Sequence, residues 1–285
     1  MPGVLISAVG SPNVSDTTGA LGTYSLTGFG AGSYTITPSK TGGQNSSIGS
    51  FDAGKIAQHA VGSSILNPTQ QTVADVSGTN GISSFDAALI ARFAAGLGPP
   101  TGSTGNWIFV PASNTHASVT SDITGEDYSA LLMGEVSGNW VHTGGRQANG
   151  PAKDITVELP RLVTPTGNEV VIPVSVQGAA NKGLISYEFD LRYDPWVMLP
   201  LADPVDVAGT VSRGLMVVTN ASEPGLLRVV VYGPMQIDEN GLLLNLKFTA
   251  IGWAGSVSPL TFERILFNEG EPGVMVSDGK VEISY

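Results

Sequence analysis

A twelve-residue stretch of the chain has oxygen-bearing residues at the spacing of a calcium-binding loop. Its positions 1, 3, 5, 7 and 12 are Asp75, Ser77, Thr79, Gly81 and Asp86, with Gly81 contributing its carbonyl group. Calcium is a hard cation that takes six to eight oxygen ligands, which such a loop supplies from these positions. We therefore predict a calcium site with these five residues as ligands. A metal-free helix cap is the alternative for Asp86, because an acidic residue that opens a helix can bond its free N–H groups.

A second spacing, in which an aspartate follows an isoleucine four residues later, occurs three times and predicts repeated helical units. Ile-x-x-x-Asp segments end at Asp52, Asp86 and Asp127, and each precedes a helical pattern, at residues 55–61, 88–95 and 129–134. Units of this size rarely bury a face alone and pack in pairs or stacks. Counting back from Asp52 puts Thr41 at position 1 and Gly43 at position 3, so that only Asn45 at position 5 could bind calcium. For Asp127 the first position is His116, a poor calcium ligand. For Asp52 and Asp127 we therefore predict helix caps.

A further segment, Glu135-Val-Ser-Gly138, repeats the sequence Asp75-Val-Ser-Gly78 and predicts a decayed third unit packed on the pair. Two tryptophans, Trp107 and Trp140, flank this region. They are interpreted as core anchors of that unit, with stacking on a sugar ring as the alternative.

The paired repeats over about residues 39–98 resemble a dockerin, the calcium-binding two-helix module of extracellular bacterial assemblies. The resemblance is stronger in the second repeat, and the first repeat lacks most calcium ligands. It implies an EF-hand-type helix pair with Asp75, Ser77, Thr79, Gly81 and Asp86 as the ligand set. Hydroxyl groups at two of these positions would weaken the site, so its occupancy would require a calcium-rich medium.

The N-terminus reads as short strands. Residues 3–9 form one strand, and the alternation of Tyr24, Leu26, Tyr34 and Ile36 predicts two more over residues 23–37. Residues 2–38 resemble a partial Ig-like sandwich of the carboxypeptidase-regulatory-like or collagen-adhesin B type whose opening strand is absent. We expect this to leave an unpaired edge beside residues 4–8, which a strand from another chain would complete. Residues upstream of Met1 would supply the strand in the alternative case.

The C-terminal half alternates apolar and polar residues over five segments, at 168–176, 184–193, 225–232, 241–250 and 280–284. Such strands with Gly and Pro turns between them predict a β-sandwich. Four patterns in this region resemble those of a cohesin, at Gly167–Val174, Glu188–Pro195, Gly241–Ala250 and Asp278–Val281. The resemblance implies a jelly-roll β-sandwich that binds dockerins through one sheet face. The predicted fold is thus mainly β with a small α-helical insert, in domains at residues 1–38, 39–150 and 151–285.

Composition and motifs exclude several function classes. The net charge of −11 argues against a nucleic-acid partner, and no apolar run is long enough to span a membrane. The chain contains no cysteine, no Gly-x-Ser-x-Gly, no His-Glu-x-x-His and no phosphate loop. Glu188 and Asp190 share a sheet face and are interpreted as solvated or ion-paired residues rather than an acid–base pair. We therefore predict that the protein is not an enzyme.

Two function hypotheses remain. The first is a non-catalytic extracellular or cell-surface structural protein that binds calcium and associates with copies of itself, head to tail, into filaments or a surface layer. The second is an accessory scaffold or glycan-binding part of a polysaccharide-degrading complex, whose partner is polysaccharide or another cohesin or dockerin protein. Asn13, Asn45 and Asn220 begin tripeptides that fit the N-glycosylation pattern.

Overall fold

The computed structural model describes residues 1–99, 101–142, 153–270 and 272–285. In these residues the fold is mainly β with a small α-helical insert, as predicted, and the insert contains three short helices. The stretch up to residue 142 contains β1 (Leu5–Val9), β2 (Val14–Thr17), β3 (Tyr34–Ser39), α1 (Ser50–Ala60), α2 (Pro68–Ala74), α3 (Ser84–Ala94), β4 (Trp107–Val110), β5 (Asn114–His116) and β6 (Ser129–Leu132). The stretch from residue 153 contains β7 (Lys153–Glu158), β8 (Arg161–Pro165), β9 (Glu169–Gln177), β10 (Leu184–Arg192), β11 (Met198–Asp206), β12 (Met216–Asn220), β13 (Leu226–Ile237), β14 (Gly241–Ala250), β15 (Val257–Phe267), β16 (Gly273–Ser277) and β17 (Gly279–Ser284).

The N-terminal sheet has the strand order β2-β1-β3-β5. Strand β1 is hydrogen-bonded on both sides, with Ile6 opposite Asp16 of β2 and Pro38 of β3. Val4, Ile6 and Ala8 are buried by the chain's own residues. The predicted unpaired edge beside residues 4–8 is therefore wrong, because β2 folds back on β1 and fills that place. The unpaired edge was the reason for expecting strand donation from another chain, so that reason no longer holds.

The first of the two strands predicted over residues 23–37 is irregular. Only Tyr34–Ser39 is extended and paired, and its free side is taken by β5 from much later in the chain. Tyr24 and Leu26 still pack against the buried cluster of this sheet. The Tyr24 hydroxyl donates to the carbonyl of Glu126 at 2.7 Å, so these side chains are used without a strand ladder.

Helices α1 and α3 begin as predicted, and each has an acidic residue at its third helical position, N3, as part of a capping box. Asp52 caps α1 and Asp86 caps α3. Helix α2, capped by Asn67, was not predicted. The helix predicted at 129–134 is wrong, because these residues form β6, which pairs with β4. Asp127 consequently opens no helix, and the short apolar run after it is of the kind that periodicity alone cannot assign.

The described residues of the C-terminal part, 153–270 and 272–285, form two facing sheets, which we call the sandwich. One has the order β12-β13-β10-β15-β17-β8 and the other β11-β14-β9-β7-β16. All five predicted strands are present, and their inward residues form the largest buried cluster. Phe189 of β10 packs edge-on against Phe262 of β15, with the ring centroids 5.3 Å apart.

The three helices and the β4–β6 ribbon form a second packed unit, which we call the helical unit; its described residues are 44–99, 101–110 and 129–142. Its buried cluster does not close on itself, because it includes Val230 and Tyr232 from the outer face of β13. The helical unit is thus packed against the six-stranded sheet of the sandwich.

Candidate functional site

Helix α1 lies across the outer face of β10 and β13. Its apolar residues share one buried cluster with Val230 and Tyr232. A Cβ atom added at Gly54 would lie 3.0 Å from Cδ1 of Ile185, so glycine at this position allows the helix to approach the sheet. The contact therefore depends on a close fit between two surfaces.

Polar contacts fix both ends of this docked arrangement. Glu188 is almost fully buried, and its Oε2 accepts a hydrogen bond from the backbone N–H of Ser50 at 2.8 Å. A carboxylate at a helix N-terminus is favoured by the helix dipole. After the end of α3, the carbonyl of Ala95 accepts a hydrogen bond from Nδ2 of Asn220 at 2.9 Å.

The acidic pair predicted on β10 is ion-paired. Nη1 of Arg264 lies 2.8 Å from Oε1 of Glu188, and its Nε lies 3.6 Å from Oδ2 of Asp190. The interpretation of Glu188 and Asp190 as ion-paired residues is confirmed. The guanidinium group offsets the cost of burying Glu188 beside the helix.

Head-to-tail association placed the contact between the dockerin-like and cohesin-like modules between chains, because two modules of one short chain were not expected to satisfy each other easily within that chain. The structure corrects that expectation, since the contact is formed within one chain. The outward apolar residues Val230 and Tyr232 were the signal for it, because a strand that is apolar on both faces is covered on both faces.

We call residues 75–86 the continuous loop. Four of its five predicted ligands form one chain of oxygen contacts. Oδ1 of Asp75 accepts from Oγ of Ser77 at 3.2 Å, and this Oγ lies 3.0 Å from Oγ1 of Thr79. The same Thr79 hydroxyl donates to the carbonyl of Gly81 at 3.5 Å. These four residues are therefore brought together as the spacing predicted.

Asp86 closes the continuous loop from the helix side. Its Oδ1 accepts from the N–H of Ser77 at 3.0 Å, and its Oδ2 accepts from the N–H of Ser83 at 2.9 Å. The residue is thus a helix cap, and its Oδ1 retains a second lone pair. The oxygen donors fit a hard cation in kind. Within the described ranges, no three His, Asp or Glu side chains are close enough to hold a metal, so hydroxyl and carbonyl oxygens would have to contribute.

The first repeat is completed by a segment far along the chain. Oδ1 of the buried Asp52 accepts from the N–H groups of Val136 at 2.9 Å and Ser137 at 3.1 Å, and its Oδ2 accepts from the N–H of Gly49 at 2.9 Å. The prediction that the Glu135 segment belongs to a third unit is therefore wrong. The segment supplies the missing first half of the first loop. We call residues 47–52 and 135–140 together the split loop.

Burial raises the pKa of Asp52 to about 7, and the nearby carboxylates of Glu269 and Glu135 add to the effect, while the hydrogen bonds from Gly49 and Val136 act in the opposite direction. The ordinary value is 3.8. Between these two values the folded chain holds a proton that the unfolded chain has lost.

We expect the helical unit to lose stability as the pH rises. The contribution of protonated Asp52 is fully present below pH 3.8 and is lost as the pH passes through about 7, at a total cost on the order of 4 kcal/mol. Urea denaturation from pH 4 to 8, followed by tryptophan fluorescence in the presence of a chelator, measures this. Asp52→Asn is the control and should flatten the profile. An unchanged pH profile in that variant would show that another group is responsible.

The two tryptophans of the helical unit act as anchors. Their rings meet edge-on with centroids 5.1 Å apart, and their Nε1 groups donate to the carbonyls of Gly42 (from Trp107) and Gly43 (from Trp140), both at 2.8 Å. The anchor interpretation therefore fits the structure better than a sugar platform.

The three predicted glycosylation sites differ in accessibility. Asn220 is 5% exposed and its amide is bonded to Ala95, so the folded protein does not present it. The amide of Asn45 donates to the carbonyl of Val141 at 2.7 Å. Asn13 is exposed, which leaves it the most accessible of the three.

Comparison with known proteins identifies one region. Residues 155–283 match the family model of the cohesin domain, which agrees with the predicted cohesin-like sandwich. Among curated proteins, no sequence matches this chain.

Solved structures similar to the chain include three cohesins. The sixth cohesin of scaffoldin B from Acetivibrio cellulolyticus, in complex with a dockerin, is 20% identical, and the match covers 45% of this chain and 98% of that chain with a TM-score of 0.41. A cohesin from a Clostridium thermocellum cohesin–dockerin complex has 20% identity, coverages of 45% and 98%, and a TM-score of 0.40. A non-cellulosomal cohesin from the archaeon Archaeoglobus fulgidus has 21% identity, coverages of 46% and 92%, and a TM-score of 0.38.

Proposed function

We propose that the protein, whose residues 155–283 match the cohesin family, is a non-catalytic extracellular assembly protein. Cohesin domains are protein–protein interaction modules that bind dockerin-bearing proteins. The observation that carries the proposal is the seating of α1 on the outer face of β10 and β13. The partner of the sandwich is thus the helical unit, either of the same chain or of another copy.

Copies join head to tail by exchanging this contact. The surfaces that meet within one chain are the same surfaces that would meet between two chains, and a contact of this type propagates into an open filament unless a ring closes. A tethered partner has an effective concentration in the millimolar range. The closed chain therefore dominates in dilute solution, and exchange requires folding at high local concentration, as on a crowded cell surface.

The location outside the cell rests on the cohesin match, since cohesins typically occur in extracellular or cell-surface scaffoldins. In the described part of the chain, no helix combines the length and the apolarity needed to cross a membrane.

Refolding at different protein concentrations tests the exchange. Protein refolded from denaturant at high concentration is expected to give a series of oligomers in mass photometry, whereas protein refolded when dilute gives monomer. Once formed, the oligomers should persist on dilution, because opening the contact is slow when helical unit and sandwich must separate. Monomer alone at every refolding concentration would exclude head-to-tail assembly.

Calcium in the continuous loop is part of this proposal. The support is the oxygen cluster of Asp75, Ser77, Thr79 and Gly81, closed by Asp86. When bound, the cation would neutralise the two carboxylates and fix the loop between α2 and α3. The same oxygens also keep hydrogen bonds within the loop, so the loop is held without a metal as well.

Chelation is expected to loosen residues 40–98 and to leave the sandwich folded, because a metal stabilises only the unit that supplies its ligands. Calcium at a hundred times its dissociation constant should raise the free energy of unfolding of the helical unit by about 2.7 kcal/mol. Hydrogen exchange with and without calcium measures this. Asp75→Asn should abolish most of the calcium effect on residues 68–97, and a full calcium effect in that variant would contradict the assignment.

A glycan-binding role has one observation in its favour. Trp196 and Trp253 are 83% and 87% exposed, and they lie on neighbouring turns, since the N–H groups of Ile251 and Gly252 both donate to the carbonyl of Val197. Large exposed aromatic side chains mark interaction surfaces. Co-sedimentation with insoluble polysaccharide tests this role: binding that is lost in a Trp196→Ala, Trp253→Ala double variant supports it, and no binding by the natural chain rejects it.

A further inference from the structure

We propose that the split loop binds a second calcium ion, held between two segments of the chain that lie more than eighty residues apart. The continuous loop supplies the register for its ligands. Equivalent positions pair Asp75 with Glu135, Ser77 with Ser137, Thr79 with Asn139 and Asp86 with Asp52. The side-chain ligands are then Glu135, Ser137, Asn139 and Asp52. Ser47 precedes Asp52 by five residues, as Gly81 precedes Asp86, so its carbonyl is the equivalent backbone ligand.

The hydrogen bonds made by the first acidic residue correspond in the two loops. In the split loop, Oε1 of Glu135 accepts from Oγ of Ser137 at 2.8 Å and from the N–H of Asn139 at 3.0 Å. In the continuous loop, Oδ1 of Asp75 accepts from Oγ of Ser77 and from the N–H of Thr79 at 3.1 Å. The turn after Glu135 therefore has the same hydrogen-bond pattern as the turn after Asp75.

The position-12 residues correspond as well. Asp52 accepts from the N–H of Ser137, as Asp86 accepts from the N–H of Ser77. These bonds orient the carboxylate of Asp52 toward the segment that begins at Glu135. The first repeat, which lacks most ligands in its own sequence, is thus completed by residues from a distant part of the chain.

The side chain of Asn139 is the independent sign of a ligand. Both polar atoms of its amide are inaccessible to solvent, and neither has a hydrogen-bond partner. Leaving a buried amide unbonded costs about 1–3 kcal/mol, so such groups are rare without a function. An amide oxygen at the fifth position is a good calcium ligand, better than the hydroxyl of Thr79 at the equivalent place.

The charge around the split loop also favours a cation. Asp52 is fully buried, and the carboxylates of Glu135 and of Glu269, which belongs to the sandwich, act on it electrostatically. A divalent cation would offset the repulsion between Glu269 and the helical unit, and so would strengthen the docked arrangement. An open cavity of about 430 Å³, lined by Glu135, Ser137 and Trp140 among others, gives an ion access to this loop.

Terbium luminescence separates the two loops in the full-length protein. Terbium replaces calcium in oxygen sites and emits when a nearby tryptophan is excited. Trp140 belongs to the split loop, whereas the continuous loop contains no tryptophan. We expect tryptophan-sensitised emission from the natural chain, displaced by calcium. Asn139→Ala should weaken the terbium and calcium affinity of this site roughly 10- to 100-fold, and the matched variant Thr79→Ala should leave the emission intact.

The same two variants also serve as the control for a folding defect. Because the amide of Asn139 has no hydrogen-bond partner, Asn139→Ala should keep the unfolding midpoint of the natural chain in chelator and lose only the added stability in calcium. Equal emission in Asn139→Ala and the natural chain would overturn the proposal, as would emission lost in Thr79→Ala instead. Failure of the continuous loop to bind calcium would appear separately, as one ion per chain with normal emission.

Discussion

Glutamate in place of Gly54 is expected to detach the helical unit from the sandwich while the sandwich stays folded. The glycine has no room for a side chain, because an added Cβ would lie 3.0 Å from Cδ1 of Ile185 and 3.2 Å from its Cγ1. Overpacking such a contact costs about 1–3 kcal/mol, and burying an unpaired carboxylate adds to this cost.

Hydrogen exchange of α1, compared with that of β10 and β13, measures this effect. In the Gly54→Glu variant the N–H groups of these strands should keep their protection, since they are paired within the sheet, while those of α1 should lose theirs. Gly98→Glu is a matched control, because nothing lies within 4 Å of a Cβ atom at that exposed position. Equal protection of α1 in both variants would contradict the docking described above.

Alanine in place of Phe189 is expected to destabilise the sandwich by about 3–5 kcal/mol. The ring is fully buried and packs against Phe262 and Tyr187. Its neighbour Glu188 points to the opposite face of β10 and bonds to α1. Loss of this strand's order should therefore also release the helical unit, which the Gly54→Glu variant does without unfolding the sandwich.

Guanidinium unfolding gives the size of this change. Val171→Ala, at a half-exposed position on β9, is the control and should change the free energy of unfolding by less than about 0.5 kcal/mol. A Phe189→Ala variant no less stable than this control would show that the inward face of β10 is not part of the core.

The sandwich was predictable because its strands carry their own evidence. A strand that packs on the core with one face alternates with a period of two, and β10 does so at Tyr187, Phe189 and Leu191. The starts of α1 and α3 were predictable for a similar reason, since a capping box is a local pattern. The helix predicted at residues 129–134 failed because its apolar run is short enough for either structure.

The packing of the helical unit on the sandwich was harder to predict from the sequence. The segment Leu226–Tyr232 is apolar at six of seven positions, which indicates burial on both faces, but it does not tell what covers the outer one. Complementarity between α1 and a sheet more than one hundred residues later has no local pattern. The split loop is similar: the Glu135 segment was visible as a copy of the Asp75 segment, but spacing along the chain does not indicate that Asp52 completes it.

A pair of cysteines across the docked surface tests the central claim most directly. The chain contains no cysteine, and a Cβ at position 54 lies 3.2 Å from Cγ1 of Ile185, so Gly54→Cys with Ile185→Cys places two thiols near disulfide separation. Oxidised after dilute folding, the variant should run as a single closed chain on denaturing gels. Oxidised after refolding at high concentration, it should form a ladder of covalent oligomers. No disulfide under either condition would contradict the docking of α1 on the sandwich, and closed monomer under both would contradict assembly by exchange.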